Sequence, residues 1–457
     1  MGVIARGRSD LKLRSPRRFV AMNTISRRDL LERSLRLAGL AGFGGPWLEA
    51  LARSGFNERA PGGRPPPPNR RPGGGRFFGV QTHFGQHRPG VDEIIDLIKD
   101  AGIGWLRDEV YWSEVEKENG IFKFPASYDR YLGAARARDI QVLLILDFSN
   151  VLYAGSEKHA PATDAERQAF ARYCREVVTH CTPLGVRLYE VWNEPNASTF
   201  WRPQPNPADY AKLLETAYRA CKEADPRATV LGCSTAGVDL DFIGRVMRAG
   251  GARFTDGISF HPYCQPLPPE RRLLTDISKV IKLAPDKPLW ITEFGYPTHV
   301  GAAGVDEETQ ANYLVRAFLL AKTVPAVKSL SWYDFQNDGE DPDEAEFNFG
   351  LVRLNRTPKP AYGAYKTMTS LVGDLPPAEL RIDGDTYVLQ FGEEKAPLFA
   401  VWRSEGAQSA EIPWTKGLCR IIERDGESRT VEVGESGLEI EASEKPRYIR
   451  PAAGSAT

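Results

Sequence analysis

The stretch that decides the fold is Arg187-Leu188-Tyr189-Glu190-Val191-Trp192-Asn193-Glu194-Pro195-Asn196. Its branched and aromatic residues are typical of a β-strand, and the strand runs into an Asn-Glu pair followed by a proline. Because proline lacks the N–H that a strand ladder needs, we expect this strand to end at Glu194. A carboxylate is then placed at the carboxyl-terminal tip of a strand, where barrel enzymes carry their catalytic groups.

A second segment, Pro288-Leu289-Trp290-Ile291-Thr292-Glu293-Phe294-Gly295, has the same construction. It is a short apolar strand that also ends in a glutamate. Two glutamates on two strand tips are the groups that glycosidases use to break a glycosidic bond. The sequence therefore points to this chemistry, provided that the fold brings Glu194 and Glu293 together.

Short apolar runs and amphipathic helical segments alternate from Phe77 onward. Strands are predicted over residues 77–82, 104–107, 142–146, 187–194, 229–232, 257–261, 288–293 and 327–332. Helices are predicted over residues 91–101, 128–138, 164–181, 207–224, 240–248, 271–283, 307–322 and 361–371, with Asp164 as the cap of the third. This repeat predicts an α/β fold, a (β/α)8 TIM barrel over residues 76–374. A doubly wound open sheet is the alternative, but no glycine-rich nucleotide-binding turn follows the first strand.

The pattern changes after Gly373, where short strand-like runs separated by Asp-Gly turns replace the helices. These runs cover residues 386–391, 398–402, 419–423, 430–433 and 438–440. Residues 375–457 are therefore predicted to form a small β-sandwich. Since no triplet of aromatic residues marks it as a sugar-binding module, we interpret it as a structural support for the barrel.

The amino terminus resembles a twin-arginine export signal. Ser26-Arg27-Arg28-Asp29-Leu30-Leu31 precedes a moderately apolar stretch over residues 35–51, and Ala50-Leu51-Ala52 offers a cleavage site. Residues 1–52 are thus predicted to be a signal peptide, with Met22 as an alternative start, and the protein to be exported to the periplasm or the medium. An amphipathic or disordered leader is the alternative. Residues 53–75 are rich in Arg, Pro and Gly and are predicted to be an extended linker.

Composition narrows the possible partners. The net charge of the 457 residues is −1, which does not favour binding to nucleic acid or to an anionic membrane, and no membrane span is expected in the mature chain. The six Cys show no metal-ligand spacing and are expected to be buried free thiols. No metal or organic cofactor is expected. The acidic loop over residues 338–346 lacks regular calcium-ligand spacing, so we interpret it as a solvated loop at the rim.

The chain resembles clan A of the glycoside hydrolases, family 39 in particular, with family 5 a near neighbour. Several pieces carry this resemblance: Trp192-Asn193-Glu194-Pro195-Asn196, His261-Pro262-Tyr263, Thr292-Glu293-Phe294-Gly295, Trp332-Tyr333-Asp334, and two longer runs within residues 106–120 and 348–362. The resemblance covers the chain from about Phe77 to its end. It implies that Glu194 is the acid/base and Glu293 the nucleophile.

Simple electrostatics agrees with these two roles. Glu293 must be ionised to attack a sugar, and a cation at the end of the second strand, Arg107, would favour the ionised form. The negative charge on Glu293 would then keep a proton on Glu194 for the leaving oxygen. Once a glycosyl-enzyme has formed, that charge is gone, and Glu194 can act as a base toward water.

Other candidates come from residues at or just beyond strand ends. Asn193 is suited to the sugar 2-hydroxyl, although a turn-former before proline is the plain alternative. His261 and Tyr263 are expected to orient Glu293 and the sugar, or His261 is a core residue satisfied by backbone. Trp332 is expected to be the floor beneath the sugar, or else core packing. His83 and Asp147 are substrate-binding candidates on position alone.

These observations predict a retaining glycoside hydrolase that cleaves β-glycosidic bonds in a polysaccharide, an oligosaccharide or a glycoconjugate. A transglycosylase would use the same two carboxylates with a sugar acceptor in place of water. A non-catalytic polysaccharide-binding or export-accessory barrel is the alternative from another class. A metal-dependent barrel hydrolase is disfavoured, because the six His are not clustered at strand ends.

Overall fold

The computed structural model describes residues 76–376, 379–392, 396–414 and 416–452. The predicted signal peptide and linker lie outside these residues, so they stay predictions, as do the predicted domain boundaries. Within the described residues, no helix is both long and apolar enough to span a membrane.

The first part of the described chain is a closed barrel of eight parallel strands, each followed by a helix. The strands are β1 (Phe78–Gln81), β2 (Trp105–Tyr111), β3 (Gln141–Asp147), β4 (Leu188–Val191), β5 (Thr229–Ala236), β6 (Gly257–His261), β7 (Leu289–Phe294) and β8 (Val327–Trp332). Each strand pairs with its neighbours in the chain, and β1 closes the ring by pairing with β8. The predicted barrel is confirmed, and the open-sheet alternative is excluded.

The outer layer consists of eight helices in the predicted places. They are α1 (Val91–Asp100), α2 (Ala126–Ala137), α3 (Asp164–Cys181), α4 (Pro207–Ala224), α5 (Leu240–Arg248), α6 (Leu273–Leu283), α7 (Glu307–Lys322) and α8 (Pro360–Val372). The loop between β2 and α2 adds a single turn of helix, Trp112–Val115, and a short hairpin of Glu116–Glu118 with Ile121–Phe122. Apolar residues of strands and helices form one continuous core between the layers.

Two details of local structure differ from the expectations. The cap of α3 is Thr163 and not Asp164, because Thr163 is still extended while Asp164 is already helical. The Thr163 side chain accepts from the Glu166 N–H at 3.2 Å, and the Glu166 carboxylate accepts from the Thr163 N–H at 2.7 Å. This reciprocal arrangement satisfies two N–H groups at the start of the helix.

Strand β4 ends at Val191 rather than at Glu194. The cause is the backbone at Trp192 and Glu194, which takes φ values of 69° and 49°, outside the extended region. Glu194 therefore sits on a turn just beyond the strand, where its N–H donates to the Ser234 carbonyl of β5 at 2.9 Å. The proline follows this turn and does not itself end the strand.

The carboxyl-terminal part is a two-layered, sandwich-like β domain, as predicted. Its strands are β9 (Leu380–Asp383), β10 (Thr386–Phe391), β11 (Leu398–Arg403), β12 (Gln408–Ile412), β13 (Gly417–Glu423), β14 (Ser428–Val433), β15 (Leu438–Ala442) and β16 (Arg447–Pro451). Six strands form one antiparallel sheet in the order β9-β10-β11-β16-β13-β14, and β12 pairs with β15. Apolar side chains from both sheets share one core. Strands β9, β12 and β16 were not predicted, because charged or polar residues interrupt their apolar residues.

A buried ion pair joins the barrel to this domain. Arg316 of α7 donates to both carboxylate oxygens of Glu270, at 2.7 and 2.6 Å, and to the Ser404 carbonyl at 3.2 Å. The indole N–H of Trp402 on β11 donates to the same carboxylate at 2.7 Å. Both charged side chains are almost fully buried, at 0% and 2% exposure, so each depends on the other for its solvation.

Removing one partner of this pair should destabilise the protein strongly. We expect Glu270→Ala to lower the free energy of unfolding by about 3–5 kcal/mol, because the Arg316 guanidinium is left buried without its counter-charge. The neighbouring surface pair of Arg271 and Glu405 provides the control. Glu405→Ala should cost less than about 1 kcal/mol. Urea unfolding of both variants measures the difference, and equal effects would contradict the structural role of the buried pair.

Candidate active site

The predicted site residues collect at the carboxyl-terminal face of the barrel. All but one come from the ends of strands or from the residues just after them: His83 (β1), Asp147 (β3), Asn193 and Glu194 (β4), His261 and Tyr263 (β6), Glu293 (β7) and Trp332 (β8). Arg107 was expected at the end of β2 but is its third residue, because β2 continues to Tyr111. All are buried except Tyr263, which is partly exposed. The roles inferred from the sequence stay predictions, and the geometry below shows what each residue contacts.

Glu194 and Glu293 meet at the centre of this face. One carboxylate oxygen from each residue and a ring nitrogen of His261 lie within 4.8 Å of one another. The fold thus brings together two carboxylates that are separated by about a hundred residues in the chain. His83, Asp334 and Asp338 form a second group whose oxygen and nitrogen atoms are equally close. Either group is compact enough to hold a cation, so the expectation of a metal-free centre stays a prediction.

Arg107 donates hydrogen bonds to four side chains of the site. Its guanidinium donates to Glu190 and to Gln81, each at 2.7 Å, and it also donates to Glu293 at 2.7 Å. It donates further to the Asn193 side-chain carbonyl at 2.9 Å. The side chain is fully buried, and although burial lowers the pKa of Arg107, the charges of Glu190 and Glu293 outweigh it and raise that pKa further. Arg107 therefore carries a permanent positive charge in contact with Glu190 and Glu293.

Three residues of this network were missed from the sequence: Gln81, Glu190 and Thr292. Gln81 accepts from Arg107, and the Thr292 hydroxyl donates to Glu190 at 2.8 Å. Glu190 is fully buried. A charged residue within an otherwise apolar strand is rarely buried without a partner, so Glu190 carried a signal that could have been recognised. Gln81 and Thr292 gave no such signal.

His261 lies between the two carboxylates. Its Nδ1 is 2.9 Å from Glu194 and 3.7 Å from Glu293. Its Nε2 faces two hydroxyl oxygens, those of Thr292 at 3.2 Å and Ser234 at 3.3 Å. The alternative of a core histidine satisfied by backbone is therefore wrong, because side chains contact both ring nitrogens.

Glu293 receives two direct hydrogen bonds. Arg107 donates to its Oε1, and the Tyr263 hydroxyl donates to its Oε2 at 2.9 Å. Asn193 uses its carbonyl oxygen to accept from Arg107, which directs its NH₂ group elsewhere. Both donors to Glu293 favour its charged form.

Trp332 does not fit the expected role of a floor beneath a sugar. Its side chain has no exposed surface, and it packs edge-on against Phe294, with ring centroids 6.3 Å apart. Its indole N–H donates inward to the Phe349 carbonyl at 3.3 Å. The ring is core packing, which is the alternative that the sequence left open.

His83 lies in an acidic cluster at the side of the site formed by β1 and β8. Its ring nitrogens are 3.4 Å from Asp334 and 3.8 Å from Glu109 and from Asp338. Burial lowers the pKa of His83, but these carboxylates outweigh it and raise the pKa well above its ordinary value. Burial raises the pKa of Asp338 to about 7, with a further contribution from Asp334. Asp338 is thus not a solvated residue of the rim loop, unlike Glu340, Asp341 and Asp343, which are exposed as expected.

Asp147 is fully buried at the end of β3, near Glu109. Neither of its carboxylate oxygens has a hydrogen-bond partner among the described residues. Burial raises the pKa of Asp147 well above its ordinary value, and the charge of Glu109 adds to this effect. A buried carboxyl group without a partner is costly, and no hydrogen bond from the described residues offsets that cost at Asp147.

The family models and the curated relative that match this chain are all glycoside hydrolases. The profile of "Glycosyl hydrolases family 39" matches residues 167–402, and that of "Cellulase (glycosyl hydrolase family 5)" matches residues 69–245. A β-xylosidase of Geobacillus stearothermophilus is 29% identical over 274 residues, which cover 54% of this chain and 49% of that protein. The match thus spans about half the length of this curated relative.

Solved structures show the same fold. A family 39 glycoside hydrolase from Bacteroides cellulosilyticus WH2 is 26% identical, with a TM-score of 0.73 over 84% of this chain and 83% of that one. A monomeric β-xylosidase from Caulobacter crescentus CB15 is 17% identical, with a TM-score of 0.61 over 84% and 98% of the two chains. At that identity, the second similarity concerns the fold alone.

The acidic cluster around His83 predicts a specific pH dependence of stability. Because the pKa of His83 is raised in the folded state, its pairs with Asp334 and Glu109 stabilise the protein fully below about pH 6.5 and lose this effect as the pH rises through the folded-state pKa. The destabilisation caused by His83→Gln should therefore be largest at about pH 5–6 and shrink toward alkaline pH. Urea unfolding across this range measures it.

The control for this experiment is His180→Gln, which removes the partly exposed pair with Asp129. Its effect should stay below about 1 kcal/mol. If the difference between the wild type and His83→Gln instead grew with pH, His83 would be neutral in the folded protein, and the acidic cluster would not hold it as an imidazolium.

Proposed function

The chain belongs to family 39 of the glycosyl hydrolases, and we propose that it hydrolyses β-glycosidic bonds with retention of configuration, through a covalent glycosyl-enzyme. Glu293 is the proposed nucleophile and Glu194 the proposed acid/base. The substrate class is a β-linked poly- or oligosaccharide or a glycoconjugate. β-Xylosides are the first substrates to test, because the relative from Geobacillus stearothermophilus is a β-xylosidase.

The spacing of the two carboxylates is the observation that carries this proposal. Oxygens of Glu194 and Glu293 lie within 4.8 Å of each other. Retaining enzymes place their carboxyl groups about 5–5.5 Å apart, whereas inverting enzymes need about 6.5–9.5 Å to admit a water molecule between them. The observed spacing supports direct attack by Glu293 on the anomeric carbon.

The distribution of donors supports the assignment of roles. Glu293 accepts from Arg107 and from Tyr263, so it is held as a carboxylate ready to attack. Two carboxylates this close do not both ionise readily, so the charge on Glu293 favours a proton on Glu194. Glu194 passes this proton to the leaving oxygen while Glu293 bonds to the sugar. The ester that forms is neutral, and Glu194 then accepts a proton from the attacking water.

We infer that neighbouring polar groups recognise the reacting sugar. Because the Asn193 carbonyl is engaged by Arg107, its NH₂ group is the part left to donate to the 2-hydroxyl, a contact that tightens in the transition state. The Asp147 carboxyl group has no hydrogen-bond partner among the described residues and is suited to another ring hydroxyl. His83 and its acidic neighbours line the same face.

Variants of the two glutamates test the mechanism. Glu293→Ala should abolish turnover of aryl β-glycosides. Glu194→Ala should lower kcat/KM by about 10²–10⁴ for substrates with poor leaving groups and much less for dinitrophenyl glycosides, which need no acid. The control is Glu118→Ala, which changes an exposed glutamate and should leave turnover unchanged. Full activity of Glu194→Ala or Glu293→Ala with every substrate would overturn the assignment.

Product analysis separates the proposal from its alternatives. Proton NMR of the first-formed sugar should show the β-anomer, as double displacement requires. Added sugar acceptors distinguish hydrolysis from transglycosylation by the products that form. A non-catalytic polysaccharide-binding protein would bind glycans and release no new reducing ends.

We also propose that the enzyme is exported through its twin-arginine motif, residues 26–31. Replacing Arg27 and Arg28 together by lysine should leave full-length protein inside the cell, because that export route reads the arginine pair. Cell fractionation followed by immunoblotting measures this. Export that is unaffected by the double substitution would mean that another segment directs it.

A further inference from the structure

A continuous chain of buried hydrogen bonds links Glu194 to Glu293 through the side chains of other residues. It runs through side chains that are each at most 2% exposed: Glu194, His261, Thr292, Glu190, Arg107 and Glu293. Thr292 and Glu190 in this chain have no place in the mechanism described above. Their hydrogen-bond directions determine where the hydrogen of His261 lies.

Glu190 is paired with the guanidinium of Arg107. Arg107 donates to its Oε2 from Nε at 2.7 Å, and a second guanidinium nitrogen lies 2.6 Å from the same oxygen. A carboxylate paired with a guanidinium in this way is ionised and only accepts hydrogen bonds. The remaining contact, from Thr292 Oγ1 to Glu190 Oε1 at 2.8 Å, must therefore use the single hydrogen of the threonine hydroxyl.

Because the hydroxyl hydrogen of Thr292 is used in this bond, the tautomer of His261 is fixed. Thr292 Oγ1 has only lone pairs to offer His261 Nε2, which lies 3.2 Å away. A ring nitrogen facing that oxygen must carry the hydrogen, since two lone pairs at this distance repel. The Ser234 hydroxyl, 3.3 Å from the same nitrogen, can accept from it as well.

The other ring nitrogen then faces the proposed acid/base. With hydrogen on Nε2, the neutral ring presents a lone pair on Nδ1 to Glu194 Oε1 at 2.9 Å. A carboxylate and a bare nitrogen would repel at this distance, so a proton lies between them. The charged or titratable groups that face this pair are Glu293, 3.7 Å from Nδ1, and Glu190, Arg107 and Tyr263 through the contacts given above.

We propose that Thr292 and Glu190 are positioning residues that hold the hydrogen of His261 on Nε2, so that Glu194 and His261 share the catalytic proton. This inference rests on the proposed function. In the first step, the shared proton moves to the leaving oxygen while the bond from Glu293 to the anomeric carbon forms and the glycosidic bond breaks. Glu194 and His261 then have no proton between them, so the carboxylate oxygen of Glu194 and the Nδ1 lone pair of His261 repel each other. That repulsion makes Glu194 a stronger base toward water, which returns the proton.

Thr292→Val tests this arrangement, because it removes the hydroxyl and keeps the shape of the side chain. We expect kcat/KM for substrates with poor leaving groups to fall by about tenfold to a hundredfold, a part of what general acid catalysis supplies. Dinitrophenyl glycosides should react at nearly the wild-type rate. The alkaline limb of the pH profile should move to lower pH, since the shared proton is held less firmly. Thr292→Ser restores a hydroxyl and should restore the wild-type profile.

Thr369→Val provides the matched control, because Thr369 is an equally buried threonine on α8, away from the site. It should leave the leaving-group dependence unchanged. If Thr292→Val lowered the rates of all substrates equally, or of none, Thr292 would not position the acid, and the inference would be overturned. A wild type that hydrolyses no β-glycoside would instead overturn the proposed function.

Nitrogen-15 NMR of histidine-labelled protein reads the tautomer directly and needs no activity. The His261 signals are identified by their loss in His261→Asn. The inference predicts a hydrogen on Nε2 of the wild type and loss of this fixed tautomer in Thr292→Val. A wild-type ring with its hydrogen on Nδ1 and a bare Nε2 would overturn it, whatever the activity measurements show.

Discussion

The buried guanidinium of Arg107 is the group on which the rest of the site depends. It enters from β2 and holds Gln81 of β1, Glu190 of β4 and Glu293 of β7, so that one side chain cross-links the barrel interior. A charge this deep is tolerated only because carboxylates pair with it on two sides. In turn, its positive charge favours the ionised form of both carboxylates. The position and the charge of the proposed nucleophile are thus consequences of one ion-pair network.

Periodicity alone predicted the barrel, since its strands are short apolar runs and its helices carry clear apolar stripes. Six of its helices and strands begin and end at the expected residues, among them α3, α4 and β6. The failures have local causes. At Trp192 the backbone turns into a left-handed conformation that no propensity scale anticipates, so β4 ends early. In the carboxyl-terminal domain, β9 and β12 are too polar to be recognised, because their pairing partners, and not their own residues, make them strands.

Some residues of the site could also be predicted from the sequence, and others could not. Glu194 and Glu293 could be found because the first follows an apolar strand and the second lies at the end of one. Arg107 was expected at the end of β2, but the strand continues beyond it to Tyr111. Hydrogen-bond partners could not be found, since Thr292 becomes important only when Glu190 and His261 lie on either side of it. Burial decided the case of Trp332, whose position at a strand end suggested contact with substrate. The position of a residue in the sequence indicates whether its side chain reaches the mouth of the barrel. Only the packing around that side chain determines whether a substrate can contact it.

The backbone positions of Glu293 and Glu194 also give their side chains different surroundings. Glu293 belongs to strand β7, and its carboxylate accepts hydrogen bonds from Arg107 and Tyr263. Glu194 lies beyond the end of β4 in a left-handed turn, a conformation that costs a non-glycine residue about 1–3 kcal/mol. That cost is offset by the hydrogen bond from its N–H to Ser234 and by the contact with His261. The turn directs Glu194 toward an imidazole rather than toward the guanidinium. Two identical side chains within 4.8 Å of each other therefore have different partners, one a permanent cation and the other a group that can share a proton.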